Sequence, residues 1–372
     1  MGKRASYWEY IRVEDLLGLQ NGIASSETEL ADDEVRFIVI HQIDELWFKL
    51  VLRELVTARD LFRLEYVPET SLSAAHAALH RVAMIFGLAS DHFRLMETMR
   101  PRDYLRFRDK LAPASGFQSA QMREIEILLG LEERERLRYG HEASFKDALR
   151  GDAGAASPAL RRVERRIADV PSLKDAVYSW LARTPIHGST PEQKGDAETV
   201  RNFVAGFLEA HAQAMRTAIT AIADSQALAA GDRERLEARY REQLGAAKAF
   251  LAAADVEQPA AAAQARRIRA AVLFIDSHRE LPLLAWPGEI LDGVIELEQS
   301  MLIFRQRHAR MVERIIGRRI GTGGSDGVDY LDRTALTYRV FKEVWAARTL
   351  LLDPAMAPPV PEAGFYGFRD AR

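Results

Sequence analysis

The chain has 372 residues, of which 48% are hydrophobic and 28% charged, as in an ordinary soluble globular protein of one large domain or two smaller ones. A net charge of -3 gives no basic surface for nucleic acid, so a DNA- or RNA-binding role has little support. Because the chain has no cysteine, disulfides, zinc–thiolate sites and iron–sulfur clusters are excluded, and any metal must be bound by histidine or carboxylate.

The predicted elements of the first half are helices, because apolar residues recur at helical spacing in nearly every long segment. A short element is expected over residues 7–20. Asp32 and Asp33 predict the start of a helix that continues to about residue 64 and is hydrophobic on most sides, which indicates a central position. Further helices are predicted over residues 71–99, 104–111 and 118–130.

The second half begins with a charged region that contains turn signals. Residues 131–200 are therefore predicted to be an insertion of shorter helices, one of them over residues 173–183. Two helical segments within about residues 200–255 predict a hairpin of helices. The last helices are predicted over residues 264–278, 288–316 and 329–352.

The organisation predicted from these elements is simple. The proline-rich tail, residues 354–372, is expected to be loosely held. There is no repeat of fixed period and no long low-complexity linker. The sequence therefore predicts one all-α domain over residues 1–372. No apolar run is expected to span a bilayer and no hydrophobic segment follows the basic start, so we expect a cytoplasmic protein outside the membrane.

His308 projects from an apolar stripe of its predicted helix. Apolar residues lie three, four and seven positions from it: Met301, Phe304, Met311, Val312 and Ile315. The spacing alone favours a core histidine with one hydrogen bond. The alternative is axial ligation of a haem iron, which needs an apolar wall for the porphyrin and cations for its propionates. The candidate cations are Arg305, Arg307 and Arg310.

His41 has aromatic neighbours on its own face of the predicted helix. Phe37 lies one turn before it and Phe48 two turns after it. Such a histidine can sit over a flat substrate and hydrogen-bond its polar edge. The alternative is again a core histidine, and the spacing by itself favours that alternative.

Two further segments could bind a substrate. Arg108 and Arg106 lie in a short irregular segment, and either could bind a carboxylate in a bidentate manner. The glycine loop, residues 321–327, places the hydroxyls of Thr322 and Ser325 between glycines, as loops that close over ligands do. It is not a phosphate-binding loop, because it lacks the Gly-Lys-Ser/Thr ending and follows no strand.

Together these motifs resemble the tryptophan 2,3-dioxygenase family. The resemblance covers most of residues 7–130 and 267–350 and is weaker between them. The matching motifs are Tyr-x-x-Tyr at 7–10, His-Gln-x-x-Glu-Leu-Trp-Phe-Lys at 41–49, Phe-Arg at 107–108, Ala-Ser-Gly-Phe-Gln-Ser at 114–119, Trp-Leu-Ala-Arg-Thr-Pro at 180–185, and the helix of His308 with its glycine loop.

The resemblance implies an all-helical haem enzyme and a role for each matching residue. His308 would be the proximal ligand of the iron of haem b, which is ferrous in the active form. His41 would lie on the distal side and hydrogen-bond the indole N–H. Phe37 and Tyr104 would pack on the indole, and Arg108 would bind the substrate carboxylate.

Other implied roles concern the edge of the pocket. Thr322 would contact the polar end of the amino acid, and Ser115 would lie in the distal pocket. Tyr7 and Tyr10 would reach the pocket of a neighbouring subunit, in a homotetramer built as a dimer of dimers. The implied reaction inserts both atoms of O₂ across the indole C2–C3 bond of L-tryptophan to give N-formyl-L-kynurenine, the entry to tryptophan catabolism.

Three positions depart from the family pattern. Phe304 stands where the family usually has tryptophan, Asp326 replaces a serine of the glycine loop, and Asp332 replaces an arginine. The two aspartates put carboxylates in or near the loop that faces the amino acid end of the substrate. They leave open a related haem oxygenase that hydroxylates a modified tryptophan or another aromatic amino acid. A non-catalytic haem sensor is the alternative from a different class.

Overall fold

The computed structural model describes residues 5–111, 118–137, 145–150, 156–223, 229–319, 327–361 and 363–367. Within these ranges every regular element is helical. Two isolated β-bridges join Arg150 to Ala156 and Ile186 to Ser189. The prediction of an all-α fold is therefore confirmed.

The described residues form fifteen α-helices, which we label in chain order. Those of the first half are α1 (Tyr7–Ile11), α2 (Val13–Leu17), α3 (Asp32–Phe62), α4 (Glu69–Met96), α5 (Pro101–Tyr104), α6 (Ala120–Leu129), α7 (Phe145–Ala148), α8 (Pro158–Ala168) and α9 (Leu173–Arg183). Those of the second half are α10 (Asp196–Ala223), α11 (Ala230–Leu251), α12 (Pro259–Ser277), α13 (Pro282–Ile316), α14 (Val328–Thr337) and α15 (Lys342–Arg348).

The chain divides into two compact units. The first comprises Met1–Val56, Arg81–Val170 and Leu297–Arg339, and the second comprises the remaining segments, Thr57–His80, Pro171–Glu296 and Val340–Arg372. The predicted single domain, with its insertion, hairpin and tail, stays a prediction.

In the first unit, α3, α4 and α13 meet in an aromatic cluster. The Phe304 ring of α13 lies 5.9 Å from Phe48 of α3, and 5.5 Å and 5.3 Å from Phe86 and Phe93 of α4, between centroids. Aromatic pairs at such distances contribute about 0.5–1.5 kcal/mol each beyond the burial of their surface. The cluster therefore fixes the part of α13 that precedes His308. The Phe304 ring contributes to this by its contacts with all three other rings.

The second unit is built around α12, which packs against α9, α10, α11 and α15. Arg267 of α12 is buried and donates to both carboxylate oxygens of Asp196, at 2.9 Å and 2.8 Å. It also donates to the backbone oxygens of Ala182, Thr184 and Ser189. One guanidinium thus satisfies a buried carboxylate and three carbonyl groups, as a buried charge requires.

The predicted helix over residues 329–352 is wrong as a single element. It is broken between Thr337 and Lys342 into α14 and α15, and the chain passes there from the first unit to the second. The intervening residues are aromatic, β-branched or arginine, and Phe341 is fully buried. Tertiary packing of Phe341 therefore overrides the weak helix propensity of this segment.

The expectation that no apolar segment could span a bilayer needs correction for α4. This helix is long and apolar enough by length and composition, with a mean hydropathy of 1.3 in its most apolar window. Core helices of soluble proteins pass the same test, and α4 carries buried Phe86 and Phe93 in the aromatic cluster.

Candidate active site

Phe37 and His41 lie one turn apart on α3 with their rings in contact. The ring centroids are 4.0 Å apart, and His41 Nδ1 lies 2.7 Å from the backbone oxygen of Phe37. Because a carbonyl oxygen can only accept, the hydrogen bond assigns the proton to Nδ1. In the neutral ring, Nε2 then has a lone pair that can accept a hydrogen bond.

The surrounding protein favours the neutral form of His41. Burial lowers its pKa, opposed by the Phe37 carbonyl and by the charge of Glu45. The side chain nevertheless retains exposed surface. Because part of the ring remains exposed, His41 can meet a ligand as a hydrogen-bond acceptor.

Tyr104 and Phe107 complete an aromatic wall beside Phe37. The Phe37 centroid is 6.2 Å from that of Tyr104 and 5.7 Å from that of Phe107, and the latter two rings are 5.3 Å apart. Burial raises the pKa of Tyr104, while the hydrogen-bonded guanidinium of Arg108 lowers it. Arg108 is therefore placed at the edge of this wall, with its charge beside the Tyr104 hydroxyl.

The structure distinguishes the two arginines that the sequence could not. Arg106 has a side chain that is 73% exposed, with Asp103 at 3.8 Å. Arg108 is half-buried and contacts Tyr104. Only Arg108 is therefore positioned to bind a carboxylate beside the aromatic wall.

His308 lies on α13 against the aromatic cluster. Its ring stacks on Phe93, with 5.3 Å between centroids and 22° between planes. Burial is the main cause that lowers the pKa of His308 to about 4, with the charges of His41 and Arg305 acting in the same direction. A neutral imidazole keeps the lone pair that a metal ion needs.

An electrostatic interaction with His41 is among the causes that lower the pKa of His308, which indicates that the two imidazoles lie near each other. Among the residues that the structure describes, no group of three or more His, Cys, Asp or Glu side chains could hold a metal ion. A neutral imidazole on an apolar wall suits the iron of a haem, whose other ligands come from the porphyrin.

The arginines around His308 are paired with carboxylates. Arg305 Nη2 donates to Glu126 at 2.7 Å and Arg307 Nη2 to Glu97 at 3.0 Å. Arg310 donates to Asp332 and, at 2.6 Å, to Glu313. The prediction that one of these three arginines binds the haem propionates thus gains no support. Asp332, which replaces the arginine usual in the family, thus has a partner on α13, Arg310.

The N-terminal segment does not bring Tyr7 or Tyr10 to this site. Their side chains are 72% and 82% exposed on α1, where no residue is buried. The segment is attached to α3 by an amide pair, since Gln20 Nε2 donates to Gln42 Oε1 and Gln42 Nε2 donates to the Leu19 oxygen, each at 2.8 Å. The exposed tyrosines are thus available to another molecule.

Part of the predicted site falls outside the described residues, and part of the observed site was not predicted. Ser115, Thr322 and Asp326 lie outside the ranges that the structure describes. Phe107 and Phe93 were not predicted as site residues. Phe107 had a signal, because it adjoins Arg108 in a matching motif, whereas helical spacing alone could not show which residue of α4 meets His308.

Another cleft lies on a different face of α3. Its volume is about 320 Å³, and it includes none of the predicted site residues. The residues that line it are Glu27, Asp32, Val35, Arg36, Val39, Ile40 and Leu95. The chemistry-bearing side chains therefore favour the site between His41 and His308.

The chain is similar in sequence to the proteins of one known family. Residues 1–351 match the family described as tryptophan 2,3-dioxygenase. The chain is 54% identical to tryptophan 2,3-dioxygenase of Sorangium cellulosum, over 99% of this chain and 88% of that protein. It is 52% identical to tryptophan 2,3-dioxygenase 2 of Ralstonia nicotianae, over 99% of each, and 32% identical to the Bdellovibrio bacteriovorus enzyme, over 96% of each. The chain belongs to the tryptophan 2,3-dioxygenase family.

Proposed function

We propose that this protein is a haem-dependent dioxygenase that converts L-tryptophan and O₂ to N-formyl-L-kynurenine in tryptophan catabolism. The observation that carries the proposal is the neutral His41, whose ring lies against Phe37 with Nδ1 bonded to the Phe37 carbonyl, which leaves Nε2 as an acceptor, and which interacts electrostatically with His308. An indole presents one N–H at the edge of a flat apolar ring, which is what an acceptor beside an aromatic wall can recognise.

The cofactor in this proposal is haem b, held by His308. Its neutral imidazole would ligate the iron, with Phe93 and Phe304 forming the apolar support of the ligand. When bound, the ferrous haem supplies the binding and activation of O₂. The protein supplies the orientation of the substrate beside it and the exclusion of water.

Substrate binding follows from the walls of the site. Phe37 and Tyr104 would pack on the indole, and Arg108 would bind the carboxylate, an ionic hydrogen bond of about 1.5–3 kcal/mol. His41 would accept from the indole N–H through Nε2. Ser115 in the distal pocket and Thr322 at the amino acid end complete the proposed contacts.

His41 acts first by position in this proposal. Its acceptor nitrogen fixes the indole plane and so the C2–C3 bond with respect to the haem. Both atoms of O₂ enter the product, so no external reductant is consumed. The reaction needs no strong catalytic base, which agrees with a histidine whose pKa is lowered by burial.

The proposed assembly is a homotetramer, a dimer of dimers, in the cytoplasm. Its support is the N-terminal segment, where Tyr7, Trp8 and Tyr10 are exposed. Large apolar side chains on the first unit are exposed too: Leu46, Leu50, Met84, Leu88, Leu95 and Ile303. Exposed apolar groups in such number indicate protein contacts. With a net charge of -3, neither nucleic acid nor a membrane surface is proposed as a partner.

The proposal is tested by Arg108→Ala with Arg106→Ala as its matched control. Loss of the carboxylate contact should raise KM by about tenfold to a hundredfold, the equivalent of one ionic hydrogen bond. Arg106→Ala should leave KM unchanged, because its side chain is exposed. Equal effects of the two substitutions, or loss of haem from Arg108→Ala, would contradict the role of Arg108.

Two alternatives are separated by product mass. A hydroxylase for a modified tryptophan would add one oxygen atom, against two for the dioxygenase. The aspartate at position 326 is the residue that motivates this alternative, since Asp332 pairs with Arg310. A haem sensor would form no product from L-tryptophan.

A further inference from the structure

A buried ion cluster lies one helical turn before His308. Glu126 of α6 is 1% exposed, and both of its carboxylate oxygens accept hydrogen bonds. Oε1 accepts from Arg305 at 2.7 Å, and Oε2 accepts from Arg123 at 2.8 Å and from Arg136. A single carboxylate therefore joins α6, the segment that follows it, and α13.

Three buried guanidinium groups surround the single Glu126 carboxylate. The side chains of Arg123, Arg136 and Arg305 are at most 12% exposed. The further carboxylate near them, Glu133, lies 3.6 Å from Arg136 and is 66% exposed. Burial opposes the ionisation of Glu126, but the three guanidinium groups outweigh it and lower its pKa to about 2. Without the Glu126 charge, buried positive groups would repel one another.

Arg305 connects the ion cluster to His308. It precedes His308 by three positions on α13, so both side chains lie on neighbouring parts of one helix face. The guanidinium also lies 4.8 Å from the ring centroid of Tyr338, whose hydroxyl accepts from the Leu137 N–H at 3.0 Å. Arg305 is thus fixed from two sides.

We propose that Glu126 is a positioning residue for His308, acting through Arg305: it fixes α13 at the axial position and offsets the positive charge beside the imidazole. This inference rests on the proposed function, in which His308 ligates the haem iron. Residues that surround a metal ligand without binding the metal influence both the orientation of the ligand and the reduction potential of the metal.

The first variant to test is Arg305→Met. It removes the connection to α13 while Glu126 keeps Arg123 and Arg136, so the cluster loses one of its excess charges. The second variant is Glu126→Gln, which keeps the shape and removes the negative charge. The control is Arg162→Met, which breaks an ion pair between α8 and Glu124 of the same helix α6, at 3.0 Å.

The readouts are haem transfer to an excess of a haem-binding acceptor protein and the ferric–ferrous reduction potential. Both test variants should lose haem about ten times faster than wild type, as for other supports of metal ligands. The potential should move in opposite directions, lower for Arg305→Met and higher for Glu126→Gln, because one removes a positive and the other a negative charge. A general loosening of the fold would shift the reduction potentials of both variants in the same direction.

The reduction potentials and the rates of haem loss of the variants decide whether Glu126 has this role. Opposite shifts in potential, with Arg162→Met equal to wild type, would support the inference. Should Glu126→Gln fail to fold, Arg305→Met alone still decides it, through a lower potential and faster haem loss with KM unchanged. Wild-type rates and potential in Arg305→Met would overturn it. Wild-type protein that binds haem but does not convert L-tryptophan would count against the proposed function, and the shifts in potential would still test the positioning role.

Discussion

Asp44→Asn should stabilise the protein at neutral and alkaline pH more than at pH 5. Asp44 lies on α3 and is 7% exposed, and burial, with a smaller contribution from Glu45, raises its pKa to about 7 from the usual 3.8. His92 Nδ1 is 3.6 Å from Oδ1, too far for a hydrogen bond. Neither atom has a hydrogen-bond partner among the described residues. The carboxyl is therefore protonated in the folded state below about pH 7.

The sign follows from proton binding. Between the unfolded and the folded pKa, the folded state binds more protons than the unfolded state, so stability falls as pH rises. Each pH unit in that window is worth ~1.4 kcal/mol, which gives a loss of ~3 kcal/mol between pH 5 and pH 7 and a total of ~4 kcal/mol. The loss levels off as the pH rises past the folded pKa of about 7 and then stays constant. Asparagine does not titrate, so Asp44→Asn escapes this loss.

The assay is the thermal midpoint of wild type and variant from pH 5 to pH 8.5 at fixed haem loading. An unfolding entropy of ~2.1 cal/mol/K per residue converts ~3 kcal/mol into an increase of ~3–4 °C in the Tm difference over this range. Asp91→Asn, at an exposed carboxylate of α4, is the control for the change in charge. A Tm difference that does not depend on pH, or one that shrinks as pH rises, would refute the reasoning.

Three other predictions concern particular side chains. Phe107→Ala should lower stability by about 3–5 kcal/mol, because the ring is 2% exposed between Phe37 and Tyr104; an unchanged Tm would contradict this. Asp196→Ala should cost about 3–5 kcal/mol in denaturant unfolding, because it leaves the buried Arg267 charge without its carboxylate; a loss below 1 kcal/mol would contradict this. Tyr10→Ala should lower activity, and mixed oligomers with Arg108→Ala subunits should recover part of it; no recovery would place Tyr10 outside a neighbour's pocket.

The helices could be predicted from sequence because their apolar periodicity is strong and their ends carry clear signals. The helix α9 was predicted with the bounds that the structure shows, and in the structure the capping pair of Ser172 and Asp175 defines its start. The break between α14 and α15 could not be predicted, since it depends on the burial of Phe341 after the chain changes unit. Local spacing carries no information about such a contact.

The types of residue that form the site could be predicted from the sequence, whereas the residues that they contact could not. Spacing placed His41 and His308 on apolar faces, but only the packing of α3, α4 and α13 brings them into one site. Composition could not choose between Arg106 and Arg108, and exposure does. The pairing of Arg305 with Glu126 joins residues 179 positions apart, a distance at which sequence spacing has no predictive force.

The central claim, that this site cleaves the indole ring of L-tryptophan with haem, is tested most directly by one turnover experiment. Anaerobically reduced, haem-loaded protein is mixed with L-tryptophan and O₂, and the product is followed by absorbance and mass. We expect N-formyl-L-kynurenine, in which two oxygen atoms from ¹⁸O₂ are incorporated. A product that gains one oxygen atom, or a reduced haem protein that leaves L-tryptophan unchanged, would contradict the claim.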